Sequence, residues 1–124
     1  MNTLLWIVQI LLALAFAAAG AGKLFSTRDR LYAQGMKYVE DLSANTLKGI
    51  GSVEILGAAG LILPALAGVL PVLTPLAAAG LMLVQSGAAL THTRRKENGI
   101  IAVNAVLFIM AAFIAYGRFV AVPL

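Results

Sequence analysis

The sequence predicts an all-α integral membrane protein. The expected fold is an antiparallel, up-down four-helix bundle with a short interfacial helical segment between helices 1 and 2. Three observations predict it. The 124 residues are 61% hydrophobic and only 11% charged, with a mean hydropathy of +0.96, whereas a soluble domain carries about 25% charged residues. The apolar residues fall into four runs, at about 3–23, 46–66, 75–92 and 100–119, each near the ~20 residues needed to cross a hydrocarbon core. Most charged residues lie between those runs, in turns too short for a further domain, so residues 1–124 form a single membrane domain.

The first span, from Asn2 to Gly22, is broken only by Gln9, and Lys23 closes it. Its small-residue end, Ala17-Ala18-Ala19-Gly20, has a signal-peptide look, but no positive residue precedes the run, so it reads as a retained span. Leu24 to Asn45 is the only extended polar segment. Ser26 and Asp29 have capping-box spacing, and Leu31, Tyr32, Met36 and Val39 give an apolar side to one or two short helices broken near Gly35. Ser43 or Asn45 can cap the second span, which carries Pro64 near its far end. Thr74-Pro75 is a helix-start signal for the third span. Thr93 to Gly99 is a basic turn, and Arg118 lies near the end of the fourth span. Ala58-Ala59-Gly60-Leu61 is echoed by Ala78-Ala79-Gly80-Leu81, a small-residue composition suited to close helix packing in lipid.

Charge sets the expected orientation. Of nine Lys and Arg residues, eight (Lys23, Arg28, Arg30, Lys37, Lys48, Arg94, Arg95 and Lys96) fall in or beside the first and third connections, against Arg118 alone on the other side. The positive-inside rule then makes loops 24–45 and 93–99 cytoplasmic, with both termini outside, in the cell's inner membrane. Trp6, Tyr116 and Phe119 fall at the outer boundary, and Phe25, Tyr32 and Tyr38 at the inner one. The net charge of +4 therefore speaks for topology and not for nucleic-acid binding.

Polar residues inside the spans are the candidate site. Glu54 is the one carboxylate in the apolar run Gly49–Pro64; left unpaired at mid-bilayer it would cost on the order of 2.5–3.5 kcal/mol. Counting along the helices, Glu54 and Gln85 lie ~10 Å and Asn104 roughly 7 Å in from the cytoplasmic boundary, where Lys23 and His92 stand. Gln9, Phe16 and Lys23 recur at sevens, as do Gln85 and His92, and Asn104, Ala111 and Arg118. Residues seven apart share one stripe of a helix, so each span can aim its polar stripe at a common axis. Gly51 and Ala58 leave room beside Glu54. The candidate intramembrane cluster is thus Lys23, Glu54, Gln85, His92 and Asn104, with Gln9, Glu97 and Arg118 secondary.

Each has a plainer reading. Glu54 can serve only as a buried partner for Lys23. His92 can be interfacial, Gln85, Asn104 and Gln9 can be interhelical hydrogen-bond glue, and Arg118 can snorkel to outer head groups. One histidine and no cysteine make a protein-only metal site improbable, and no haem, flavin or iron–sulfur motif is present.

The pattern Gly51-x-x-Glu54-x-x-Gly57-Ala58-x-Gly60-Leu61-x-x-Pro64, then Leu73-Thr74-Pro75-Leu76-Ala77-Ala78, Gly87-Ala88-x-x-x-His92, Glu97, Asn104 and Gly117-Arg118 resembles the DoxX-like membrane proteins, as do Phe16, Gly20 and Lys23 in the first span. The resemblance runs over nearly the whole chain, weakest from Arg28 to Leu42. It implies a four-helix membrane protein. The wider group includes the small subunit of a quinone-linked thiosulfate oxidoreductase, partners of detoxifying enzymes, and membrane chaperones, so fold travels further than function.

Three functions compete. A membrane subunit or quinone-linked redox accessory would use Glu54, Lys23 and His92 to bind or protonate the polar head of a quinone or a lipid between helices. A non-enzymatic partner or assembly factor would dock other proteins, or copies of itself, on its lipid face or cytoplasmic basic loops. A small transporter is the third; one buried carboxylate and no inverted duplication give it little support.

Overall fold

The computed structural model describes residues 1–124. Four helices are long and apolar enough to cross a membrane: α1 (Asn2–Phe25), α3 (Ala44–Ala67), α4 (Leu73–Arg94) and α5 (Asn98–Tyr116), the last extended by a π-helical turn, Gly117–Ala121. Between α1 and α3 lie the short helix α2 (Arg28–Ala33) and a 3-10 turn, Lys37–Asp41. Gly35, at φ +98°, breaks the connector between them, in the left-handed region where glycine is at ease.

Local chemistry explains the boundaries. Ser43 Oγ accepts from the Thr46 backbone N–H at 3.0 Å and starts α3. Gly68, left-handed at φ +66°, ends it. The α2 cap is Thr27, whose Oγ1 accepts from the Arg30 N–H, and not Ser26 as the capping-box spacing suggests.

Pro64 lies inside α3 and cannot donate to the carbonyl of Gly60. The Thr74 hydroxyl, fully buried on α4, donates to that carbonyl at 3.0 Å. The next carbonyl, Leu61, accepts from Gln9 Nε2 on α1 at 2.8 Å. A proline that would only kink an isolated helix is thus where α3 is tied to both neighbours.

The bundle is apolar outside and keeps seven polar residues buried within. Leu4, Ile7, Leu11, Leu56, Leu63, Leu83 and Ile109 face outward, while Gln9, Glu54, Thr74, Gln85, His92, Asn104 and Arg118 are buried. Such a molecule is at home in a bilayer. The helices pack as two close pairs, α1 with α3 and α4 with α5. The pairs meet through a core of Leu12, Phe16, Leu61, Ala78, Leu81, Ala111 and Ile114. That core occupies the middle and the end bearing the termini. The other end, which carries the connector and the 93–99 turn, is the basic end.

Candidate functional site

The site begins where α1 and α3 touch. A Cβ on Gly20 would stand 2.6 Å from the Gly51 carbonyl oxygen, and one on Gly51 2.7 Å from that of Gly20. Only glycine permits this backbone approach. Three residues on from each glycine, on the same helix face, come Lys23 and Glu54. Lys23 Nζ donates to Glu54 Oε1 at 2.6 Å, with the side chains 13% and 3% exposed. The pair is direct, and the glycine contact sets its reach.

Beside the pair, in the basic half of the bundle, lies a cavity of about 830 Å³. Lys23, Glu54, Gln85, His92 and Asn104 all line it, one or two from each long helix, with Phe16 and Leu107 toward the core. The heptad spacing has a structural counterpart, because Gln9 and Phe16, Gln85 and His92, and Asn104, Ala111 and Arg118 are all buried. Gln85 Oε1 and Asn104 Nδ2 are buried without a hydrogen-bond partner. A stranded buried polar atom costs about 1–3 kcal/mol, so this half of the bundle holds one amide acceptor and one amide donor that protein does not satisfy.

A lid closes the basic end. Tyr38, from the 3-10 turn, meets the His92 ring edge-on with centroids 5.0 Å apart. His92 Nδ1 lies 3.0 Å from Glu97 Oε1. Arg95 donates to Asp41 Oδ2 and Glu40 Oε1, each at 2.7 Å, and to Glu97 Oε1 at 3.2 Å. Hydrogen bonds to Asp41 and then Glu40 push the Arg95 guanidinium well above its ordinary range, so the arginine of the clamp between connector and turn keeps its charge. Arg95 is therefore a clasp as well as a topology signal. Glu97 sits in this clasp, outside the cavity lining.

The other two secondary residues form a separate cluster at the far end. Arg118 Nε donates to Gln9 Oε1 at 2.7 Å, and Nη1 donates to Asn2 Oδ1 at 2.8 Å and to the Val122 carbonyl at 3.1 Å. The guanidinium also lies 5.7 Å from the Trp6 ring centroid. Arg118 is only 3% exposed, so it does not snorkel to head groups as the sequence suggested. Gln9 and Asn2 reach it inside the bundle, and Leu5 packs over Gly117 where any larger residue would collide.

The sequence profile of the DoxX-like family matches residues 7–114. The chain belongs to the DoxX-like family. No curated protein and no solved structure matches it. This DoxX-like chain is a multi-pass membrane protein, and the match spans Lys23, Glu54, Gln85, His92 and Asn104. Sequence reasoning missed Tyr38, Thr74 and the clasp role of Arg95. A signal existed for Thr74, because Pro64 within a span leaves a carbonyl that some donor must meet. Arg95 carried none, because Arg94 and Lys96 beside it look alike in sequence.

Proposed function

We propose that this DoxX-like protein is a membrane subunit of a quinone-linked redox system and holds the polar head of a lipid-soluble quinone between its helices. One observation carries the reading: Gln85 and Asn104 line a largely apolar cavity beside a buried ion pair, and each keeps a buried amide atom, Gln85 Oε1 and Asn104 Nδ2, without a hydrogen-bond partner. A quinone carbonyl accepts from Asn104, and the hydroxyl of the reduced form donates to Gln85. Lys23 and Glu54 supply charge of either sign at the same wall. This chain binds and orients; electrons reach the quinone from a partner protein.

The test is equilibrium binding of radiolabelled decyl-ubiquinone to the protein in lipid nanodiscs. Asn104→Ala and Gln85→Ala are each expected to weaken binding roughly tenfold, the loss of about one hydrogen bond. Ser86→Ala, exposed on α4, is the control. Equal affinity in all four proteins would refute the reading.

A second reading keeps one observation of its own. With Arg95 engaged, Arg94 and Lys96 remain exposed and unpaired, a surface suited to an acidic face of a docked protein. In both readings the basic end faces the cytoplasm of a cell with the protein in its inner membrane, with both termini outside. A cysteine replacing Ala33 or Lys96 is expected to react with an impermeant maleimide only in inverted vesicles, and one replacing Ala67 only in intact cells. The native chain has no cysteine to interfere. Labelling of Ala67 and Lys96 from one side would contradict the topology.

A further inference from the structure

The cavity is not sealed from lipid: exposed residues line it on the α1–α5 side, at Ala15 and Val103, and on the α3–α4 side, at Val53 and Leu83. Toward the far end α3 and α4 are in tight contact. A Cβ on Gly60 would lie 2.8 Å from Ala77 Cβ, and one on Gly57 2.6 Å from Leu81 Cδ2. Continuing that antiparallel register toward the basic end sets Val53 beside Val84 and Gly49 beside Ala88. There the contact is gone. A Cβ on Gly49 would meet nothing within 4 Å. Val53 is 50% and Leu83 75% exposed, yet both line the same cavity as Glu54 and Gln85. Space is open beside Gly49, and through Val53 and Leu83 the polar cavity reaches the outer, lipid-facing surface. Val53, Leu83, Val84 and Ala88 along this seam are apolar and Gly49 has no side chain, Thr46 and Thr91 come one turn nearer the basic end, and Gln85 and Glu54 stand behind it.

The geometry points to the α3–α4 seam as a lateral entry. The ligand enters sideways from the leaflet at the basic end, seats its polar head at Gln85 and Asn104, and leaves its apolar tail lying in the seam over Gly49 and Val53. This rests on the quinone reading above and adds to it the route and the part of the ligand that stays in lipid. The clasped lid over the basic end fits the same route, since Tyr38 and the Arg95 cluster stand across the direct path from water. Gly49 and Val53 then select tails by width. A narrow chain passes between them, and a Cβ added at residue 49 would meet no neighbour within 4 Å, so a larger side chain there can reach into the gap.

The test uses a benzoquinone with a ten-carbon tail ending in a diazirine, irradiated with the full-length protein in lipid nanodiscs. Adducts displaced by excess decyl-ubiquinone are expected on Val53, Leu83 and Ala88. Gly49→Trp is expected to lower both labelling and affinity about tenfold or more, as blocked contact with two methylene groups would do. Ile109→Trp, exposed on α5 outside the cavity lining, is expected to leave both unchanged. Adducts confined to Ala15 and Val103, or a loss with Val103→Trp in place of Gly49→Trp, would overturn the α3–α4 route while leaving the quinone site standing. Absence of displaceable labelling anywhere in the cavity would sink the quinone reading, and the entry with it.

Discussion

Replacing Lys23 by Met is expected to destabilise the protein by about 3–5 kcal/mol, the cost of stranding one member of a buried ion pair. Glu54 is 3% exposed, and its one hydrogen-bond partner is Lys23. The converse change, Glu54→Gln, is expected to cost less. Lys23 stands at the end of α1, and its long stem can carry the freed ammonium toward the boundary. The asymmetry has a pH signature. A buried carboxylate without its cation is relieved by taking up a proton, so the Lys23→Met deficit should shrink as pH falls, whereas that of Glu54→Gln should not. The double variant Lys23→Met/Glu54→Gln should recover much of the loss, because neither charge is left alone. Unfolding in mixed micelles at graded dodecyl sulfate gives all four stabilities. Additive losses in the double variant would show that the pair is not coupled. If the pair serves ligand binding beyond its structural role, the double variant should fold well and still fail to bind decyl-ubiquinone.

Gln9→Leu should be the other severe change, at roughly 3 kcal/mol. Gln9 is completely buried and works at both ends of its amide: Nε2 donates to the Leu61 carbonyl near Pro64, and Oε1 accepts from Arg118. Leucine is close in size, so the packing is nearly kept and the loss is that of two stranded buried groups, one of them charged. Arg118 Nη2 already lacks a partner. Adding Arg118→Met to Gln9→Leu should restore part of the stability, since the cation most in need of that acceptor is then gone. The same micelle titration reads it. A Gln9→Leu protein as stable as the parent would mean that lipid head groups or water, and not Gln9, satisfy the guanidinium. Because the cluster lies at the opposite end from the cavity, quinone affinity per folded molecule should be unaffected.

These two pairs mark where the sequence stops being sufficient. Four apolar runs, each about a bilayer in length, with charges near their ends except for Glu54, leave no other fold class open, since hydrocarbon accepts only segments that satisfy their own backbone. The polar stripes were legible too, because residues seven apart must share a helix face whatever the neighbours are. Local signals narrowed the cap of α3 to Ser43 or Asn45, of which Ser43 takes the role, and were enough for a break at Gly35. What one dimension cannot hold is the register of one helix against another. Lys23 meets Glu54 only because Gly20 and Gly51 let two backbones touch at that level. Arg118 looked like a head-group anchor until the packing of α5 against α1 turned it toward Gln9 and Asn2. Arg95 was one of three consecutive basic residues until the connector folded back and placed Glu40 and Asp41 within reach. The contrast between Gly57 and Gly60, which press on α4, and Gly49, which meets nothing, has the same origin. Periodicity determines which face of a helix is buried, whereas contacts between helices distant in sequence decide how closely two such faces approach, and whether a cavity opens between them.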